Sequence, residues 1–402
     1  MPRTKYLSLS LMSKGRVSCL IGVTAACLLL KDTTQAALAT PLPVLFDSSN
    51  YLHRDITYHP EQPARITSCV QALENFRIEN GGALLELIDV ATGPPTLVEG
   101  VQAVKHEPFT DAELDHARDM LLQAHTDDLV VKLEERCRNS REQRIQEGKP
   151  SLGHMGYIDA DTFVTTESFG VCLRATAAWI RAVNIAEASG FPAMALTRPP
   201  GHHAEAKLSN GFCLFNFAAA AALHALQDPS KRVSILDWDV HYGQGVADIM
   251  KSHERARYVS IHQTPAFPYM GESPQTFGDH NNIRTIPMPA GTSWACGYKE
   301  LFEKALDFVC KQSEWEPDLV IVCNGYDALD SDELASCSLQ AADFGKMTLL
   351  LSDHLDKASN KRPALILGLE GGYQLSKMAG GGGLQDAVVQ TARALTEKSN
   401  VF

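Results

Sequence analysis

Arg232-Val233-Ser234-Ile235-Leu236-Asp237-Trp238-Asp239-Val240-His241-Tyr242-Gly243-Gln244-Gly245 begins as an apolar run and ends in acids, an imidazole and glycines. Its first half predicts a strand over 232–239, apolar enough to be buried on both faces of a parallel sheet. In an extended chain, residues i, i+2 and i+4 share a face, so Asp237, Asp239 and His241 point the same way. Two carboxylates and an imidazole on one face are costly unless a cation neutralises them, and a metal ion is the economical answer.

Four other runs repeat the pattern: 193–198, 257–262, 318–325 and 364–370 also predict strands. Helical periodicity falls near or between them at 171–188, 215–226, 298–311, 341–359 and 384–397. Alternating strand and helix indicates an α/β fold with right-handed crossovers. The charged stretch 134–149 reads as a solvated helix end and loop, and the Gly380–Gly383 run as a flexible entry to the last helix. The only linker-like shift lies at 40–45, so residues 43–402 are expected to form a single catalytic domain.

In open α/β sheets ligands bind beyond the carboxyl ends of the strands, and there the remaining polar clusters lie. Arg198-Pro199-Pro200-Gly201-His202-His203 closes one strand with a rigid turn that presents adjacent imidazoles. Asn324-Gly325-Tyr326-Asp327 closes another, and Asp327 completes an Asp, His, Asp ligand set with an open position for water. Zinc accepts such a set, and Fe²⁺ does equally. Glu370-Gly371-Gly372-Tyr373 closes a third, where two glycines let a tyrosine hydroxyl approach a ligand. A lone acid at a strand end is usually a cap or turn residue. Polar clusters at the ends of several predicted strands are what indicate a site.

Composition narrows the function. Thirty-six Lys and Arg against 48 Asp and Glu give a net charge of −12, which argues against direct binding to nucleic acid. Hydrophobic residues at 45% and charged residues at 21% are globular values. Ten cysteines without a CxxC pair suggest structural thiols in a reducing compartment. No long uncharged apolar run predicts an integral membrane span. Residues 1–31 hold basic residues and no acid, and an apolar run over 17–30 is followed by small residues at 36–39. Residues 1–42 therefore read as a targeting segment. The expected address is an organelle, chloroplast or mitochondrion, with the secretory pathway or cytoplasm as alternatives.

Taken together, these motifs resemble the histone deacetylase superfamily, in its class II-like branch. The resemblance runs from Tyr51 to Tyr373 and includes Tyr58-His59-Pro60-Glu61 with Arg65, Asp159-Ala160-Asp161-Thr162-Phe163, and the clusters above. It implies the arginase/deacetylase fold, a single domain with a central, mostly parallel sheet of eight strands and helices on both faces. It implies hydrolysis of the amide of ε-N-acetyl-lysine in proteins, histone or not, or of small acylated amines such as acetylpolyamines. Asp239, His241 and Asp327 then match the zinc ligands, His202 and His203 the paired imidazoles, and Tyr373 the hydroxyl that polarises the carbonyl. Asp237 matches the carboxylate that orients His202. Asp237, Asp239, His241 and Ser260 match the residues around a structural potassium ion. Phe212 and Tyr269 match channel walls, and Asp161 the acid that clamps the substrate backbone. Polyamine-selective relatives place a Glu where this chain has Leu334, with Glu333 one residue away. That implies a preference for acyl-lysine.

Three positions depart from the family pattern. Tyr242 replaces a histidine, Gln244 stands where class I members have an acid, and Tyr326 replaces a phenylalanine. A neutral Gln244 predicts a less basic His203. Two other readings fit the motifs less well. Arginase-like ureohydrolases carry Asp-x-His-x-Asp runs for two manganese ions, whereas the order here is Asp-x-Asp-x-His. A binding module without catalysis is expected to lack Tyr373, a metal ligand or a catalytic histidine, and none is missing. The sequence carries no signal for an oligomeric state.

Overall fold

Five short runs of Val, Ile, Leu and Ala form the centre of the sheet because each is buried on both faces. The computed structural model describes residues 40–93, 101, 104–310, 315–357, 361–375 and 382–399. Two units divide the chain: Met1–Thr40, of which only Thr40 is described, and Pro41–Phe402. The targeting segment expected over 1–42 thus lies almost wholly outside the described residues, as does part of the Gly380–Gly383 run.

The strands are β1 (Leu42–Phe46), β2 (Leu85–Asp89), β3 (Val104–His106), β4 (His154–Tyr157), β5 (Phe163–Thr165), β6 (Ala193–Leu196), β7 (Val233–Asp237), β8 (Ala256–Gln263), β9 (Gln275–Phe277), β10 (Ile283–Met288), β11 (Leu319–Asn324) and β12 (Ala364–Leu369). The main sheet runs β3-β2-β1-β6-β12-β11-β7-β8-β10-β9, and β4 pairs with β5 in a separate two-stranded sheet. Every pairing in the main sheet is parallel except that of β9 with β10. The sheet has ten strands and not the expected eight. The additions are the three-residue edges β3 and β9, too short and too exposed to leave a periodic signature.

Alternation divides the core into two layers. Ile235, Ile321 and Ile366 face one layer with Trp179, Phe215 and Phe217. Leu236, Val320, Val322, Leu365 and Leu367 face the other, with Trp238, Phe302 and Phe344. On the first face the helix Ser168–Ser189 comes so close that a β-carbon at Gly368 would run into the Trp179 indole. The helices Tyr298–Cys310, Ala341–Leu355 and Leu384–Ser399 contribute to the second.

The charged stretch 134–149 holds the last part of the helix Asp127–Gln146 and the turn after it. Val130, Leu133 and Cys137 anchor that helix, and Arg118 bridges to Glu134 at 2.7 Å. The stretch thus includes more helix than an end alone.

Candidate active site

Strand order makes the site. Strand β11 lies between β12 and β7, with Cys323 paired to both Gly368 and Asp237. The chain therefore delivers Asp327, Gly371 and Asp239 to one point from three neighbouring strands. Two glycines permit the approach: a β-carbon at Gly325 would run into the Asp239 carboxylate, and one at Gly371 into the carboxylates of both Asp327 and Asp239. The backbone then fixes the acids. Gly371 N donates to Asp239 Oδ2 at 2.7 Å, His241 N to Asp239 Oδ1 at 2.9 Å, and Val240 N to Asp327 Oδ1 at 2.9 Å.

Asp239, His241 and Asp327 are all buried, with one potential ligand atom from each lying within 4.8 Å of the others. His241 Nδ1 is 3.0 Å from Asp327 Oδ2 and 3.3 Å from Asp239 Oδ1. Burial, reinforced by Asp239, pushes the Asp327 carboxyl up to about 7. Burial acts in the same direction on Asp239, but the His202 and His241 imidazoles outweigh it and hold that group low. Two crowded carboxylates with an imidazole, neither paired with a lysine or arginine among the described residues, form a set that a divalent cation fits. The oxygen and nitrogen donors suit zinc or Fe²⁺.

The imidazole pair is held from behind. Glu370 Oε2 accepts from Gly201 N at 2.6 Å and from His202 N at 3.1 Å, pinning the turn after β6. His202 Nδ1 lies 3.0 Å from Asp237 Oδ2, which also accepts from the Tyr258 hydroxyl at 2.7 Å. Burial works against a charged His202, yet Asp239 and Asp237 raise it to about 10. His203 differs. Its Nδ1 is 2.8 Å from Gln244 Oε1, and burial together with His202 and His241 lowers its pKa well below 6.5. Gln244 Nε2 donates to His203 O at 3.2 Å and to Asn210 Oδ1 at 3.1 Å, which turns the amide oxygen toward the ring.

Beside these groups opens a cavity of about 270 Å³ lined by Asp161, His203, Gly211, Phe212, His241, Phe267, Tyr269, Leu334 and Tyr373. Phe212, at φ 68°, turns its ring to 5.6 Å from that of Tyr373. Phe267 packs edge-on against His203 at 4.8 Å, while Tyr269 is mostly exposed. Tyr373 is buried, its N–H donates to Asp332 Oδ2 at 2.7 Å, and the Arg65 guanidinium lies 4.7 Å from its ring centre. Burial pushes the phenol well above 10, so it stays a hydrogen-bond donor.

All the expected catalytic, ligand and channel residues converge here. Of the residues matched to potassium, Asp237 on β7 pairs with Ser260 on β8, and Asp239 and His241 follow the end of β7. They are already engaged: Asp237 Oδ1 accepts from Asp239 N at 3.1 Å, and Ser260 Oγ lies 3.0 Å from His262 Nδ1. These side chains leave no unpartnered atom that points to a monovalent ion, and no role is derived for one. The sequence points to the segment Phe267-Pro268-Tyr269 for the second channel wall, and both Phe267 and Tyr269 line the cavity, but it gives no sign of Asp332 or Tyr258 and assigns Glu370 no task. Glu370 had a signal, as an acid at the end of an apolar strand, but Asp332 sits in an acid-rich loop like any solvated one.

Comparison with known proteins decides the family. The histone deacetylase domain matches residues 59–383. The chain belongs to the histone deacetylase family. This deacetylase is 30% identical over 333 residues to histone deacetylase HDA1 of Saccharomyces cerevisiae, covering 80% of this chain and 43% of the yeast protein. An uncharacterized Synechocystis protein is 39% identical over 242 residues, 60% of this chain and 74% of that one. "Histone deacetylase 10, chloroplastic" of Oryza sativa subsp. japonica is 28% identical over 367 residues, 87% of this chain and 72% of the rice protein. Among solved structures, the HD domain of HDA15 superposes with a TM-score of 0.64 at 23% identity, covering 90% of this chain and 89% of that one. An acetylpolyamine aminohydrolase from Burkholderia pseudomallei does so with 0.65 at 20%, covering 88% and 98%. The fold is the arginase/deacetylase fold, and the enzyme is a hydrolase of amide C–N bonds. Among the described residues no helix is long and apolar enough to cross a membrane.

Proposed function

We propose that this deacetylase hydrolyses the amide of ε-N-acetyl-lysine in proteins, with one divalent ion, zinc or iron, held by Asp239, His241 and Asp327. The observation that carries the reading is a buried Asp, His, Asp cluster with His203 and Tyr373 on the wall of one cavity. When bound, such an ion acts as a Lewis acid and lowers the pKa of water towards about 7.

The side chains carry the rest. Gln244 accepts from His203 Nδ1–H, which leaves Nε2 unprotonated. Burial keeps that ring neutral, so His203 removes the proton of the attacking water and later returns it to the leaving amine. Tyr373 donates to the carbonyl oxygen as negative charge develops on it. His202 is oriented by Asp237 and contributes positive charge next to the reacting centre. Phe212, Phe267 and Tyr269 enclose the aliphatic stem of the lysine, and Asp161 at the cavity wall accepts from the substrate backbone. Leu334 lines the cavity, whereas the hydroxyl of Tyr58 holds Glu333 at 2.9 Å. No carboxylate from that loop meets a distal ammonium in the cavity, which favours acyl-lysine over acetylpolyamines.

Metal analysis of the purified chain, combined with turnover of an acetyl-lysine peptide, N-acetylspermidine and acetylputrescine, tests this. One equivalent of metal and preference for the peptide are expected, with metal and activity both lost in Asp239→Ala. Full metal occupancy in that variant sinks the ligand assignment, and preference for a polyamine sinks the substrate assignment.

We also propose that residues 1–42 direct the chain to an organelle. The basic, acid-free composition of residues 1–31 supports this, and the printed name of the rice relative includes "chloroplastic". A fluorescent fusion of the segment is expected in plastids or mitochondria, and an even cytosolic distribution would refute it.

A further inference from the structure

Exposed apolar side chains are ordinary when scattered, but a concentration of them marks an interaction surface. Twelve large apolar residues are exposed among those described, and nine lie within segments 56–58, 157–158, 208, 267–270 and 334. Segments 267–270 and 334 supply wall residues of the acyl cavity, 157–158 and 208 lie three residues from the lining residues Asp161 and Gly211, and Tyr58 bonds to the neighbour of Leu334. Tyr269 and Leu334 are wall residues, and Met270 follows Tyr269. Tyr58 is tied to Glu333, the neighbour of Leu334. Tyr157 bonds to Asp55, next to Ile56, and precedes the turn that carries Asp161.

Both tyrosines have their hydroxyls engaged by carboxylates, so what remains open is ring. Restrained aromatic rings lose little entropy on contact and are efficient binding surface. The cavity itself, at about 270 Å³, has room for an acyl group and an aliphatic stem. A free acylated amine held within it has no use for the collar outside.

We propose that the collar around Tyr58, Tyr157, Tyr269, Met270 and Leu334 docks the polypeptide on either side of an acyl-lysine, and that it selects apolar flanking residues. This inference rests on the acyl-lysine reading and narrows it: the substrate class is acyl-lysine in apolar-flanked sequence. The collar is continuous with the reaction cavity, so its occupant is the chain that carries the reacting group. Asp55, Asp161 and Glu333 lie among these segments. Tyrosine hydroxyls fix Asp55 and Glu333 in place, and a preference for basic flanks is the competing outcome of the test.

The test uses the full-length holoenzyme with three acetyl-lysine peptides of equal length, flanked at −1 and +1 by Leu and Phe, by Gly and Ser, or by Lys and Arg. The expected result is a kcat/KM about 10-fold higher for the Leu/Phe peptide than for the Gly/Ser peptide, carried mainly by KM. In Met270→Ser that ratio falls towards one while kcat on the Gly/Ser peptide is unchanged. Equal kcat/KM for all three peptides, or a preference for the basic one, overturns the inference and leaves acyl-lysine hydrolysis standing. No turnover of any peptide removes the parent reading instead. A dimer in sedimentation that Met270→Ser dissociates would assign the collar to a second copy of this chain and overturn the docking proposal.

Discussion

Gln244 Oε1 lies 2.8 Å from Nδ1 of His203, so the imidazole proposed as the base leans on a neutral amide and not on a carboxylate. Its neighbour His202 leans on Asp237 at 3.0 Å, and the two rings are only 4.0 Å apart. Adjacent residues on one turn are thereby separated in basicity, His202 raised to about 10 and His203 lowered well below 6.5. A carboxylate partner favours the charged form of His202, and the amide partner of His203 gives that ring no such support.

Replacing that amide reads out the arrangement. In Gln244→Glu a carboxylate faces His203 Nδ1 and raises the ring's pKa. The low-pH loss of kcat/KM then begins at a pH higher by about one unit than in the parent enzyme. Superimposable pH profiles would remove Gln244 from control of the base.

Tyr373→Phe keeps the ring, and with it the contacts to Phe212 and Arg65, but deletes one donor. We expect metal content and thermal stability to be unchanged while kcat falls by about 10²-fold, the typical cost of one oxyanion donor. Steady-state kinetics alongside metal analysis decides this, and an undiminished kcat contradicts the assigned role.

The turn bearing the histidines depends on a buried ion pair behind it. Arg198 donates Nε to Glu61 Oε1 at 2.7 Å and Nη2 to Oε2 at 2.6 Å, and both side chains are fully buried. Deleting one partner leaves a buried charge without compensation. Glu61→Ala should therefore lose about 3–5 kcal/mol of stability, measured by urea unfolding. A loss below about 1 kcal/mol would mean that Asn50 O and His53 O, which also accept from Arg198, already suffice.

Acid sensitivity follows from His125. Its Nδ1–H donates to Glu205 O at 2.9 Å and its Nε2 accepts from Asn216 N at 2.9 Å, so the ring is built in as neutral. Burial lowers its pKa from 6.5 to about 4. Between those values the unfolded chain binds the proton and the folded chain does not. This residue's contribution is complete above pH 6.5 and declines as pH falls towards 4, by up to about 1.4 kcal/mol per unit. Urea midpoints at pH 7, 6 and 5 should fall accordingly, and less steeply in His125→Gln. Identical slopes in the two proteins would clear His125 of that role.

The sequence alone was enough to locate the five central strands and the polar clusters that follow them. Those properties depend on residues a few positions apart, so the local pattern of apolar and polar residues expresses them directly. The convergence of Asp327 with Asp239 needs β11 beside β7, and the approach of Gly371 needs β12 beside β11. Spacing along the chain carries no record of that order. The same holds for Glu370 under the histidine turn and for Asp332 behind Tyr373, both joined to their targets by contacts remote in sequence. Leu334 and Glu333 are adjacent in the chain, yet one lines the cavity while the other is drawn off by Tyr58, 275 positions away. Which of two neighbouring side chains faces a ligand is decided by what packs around the loop, and only the folded chain brings those partners together.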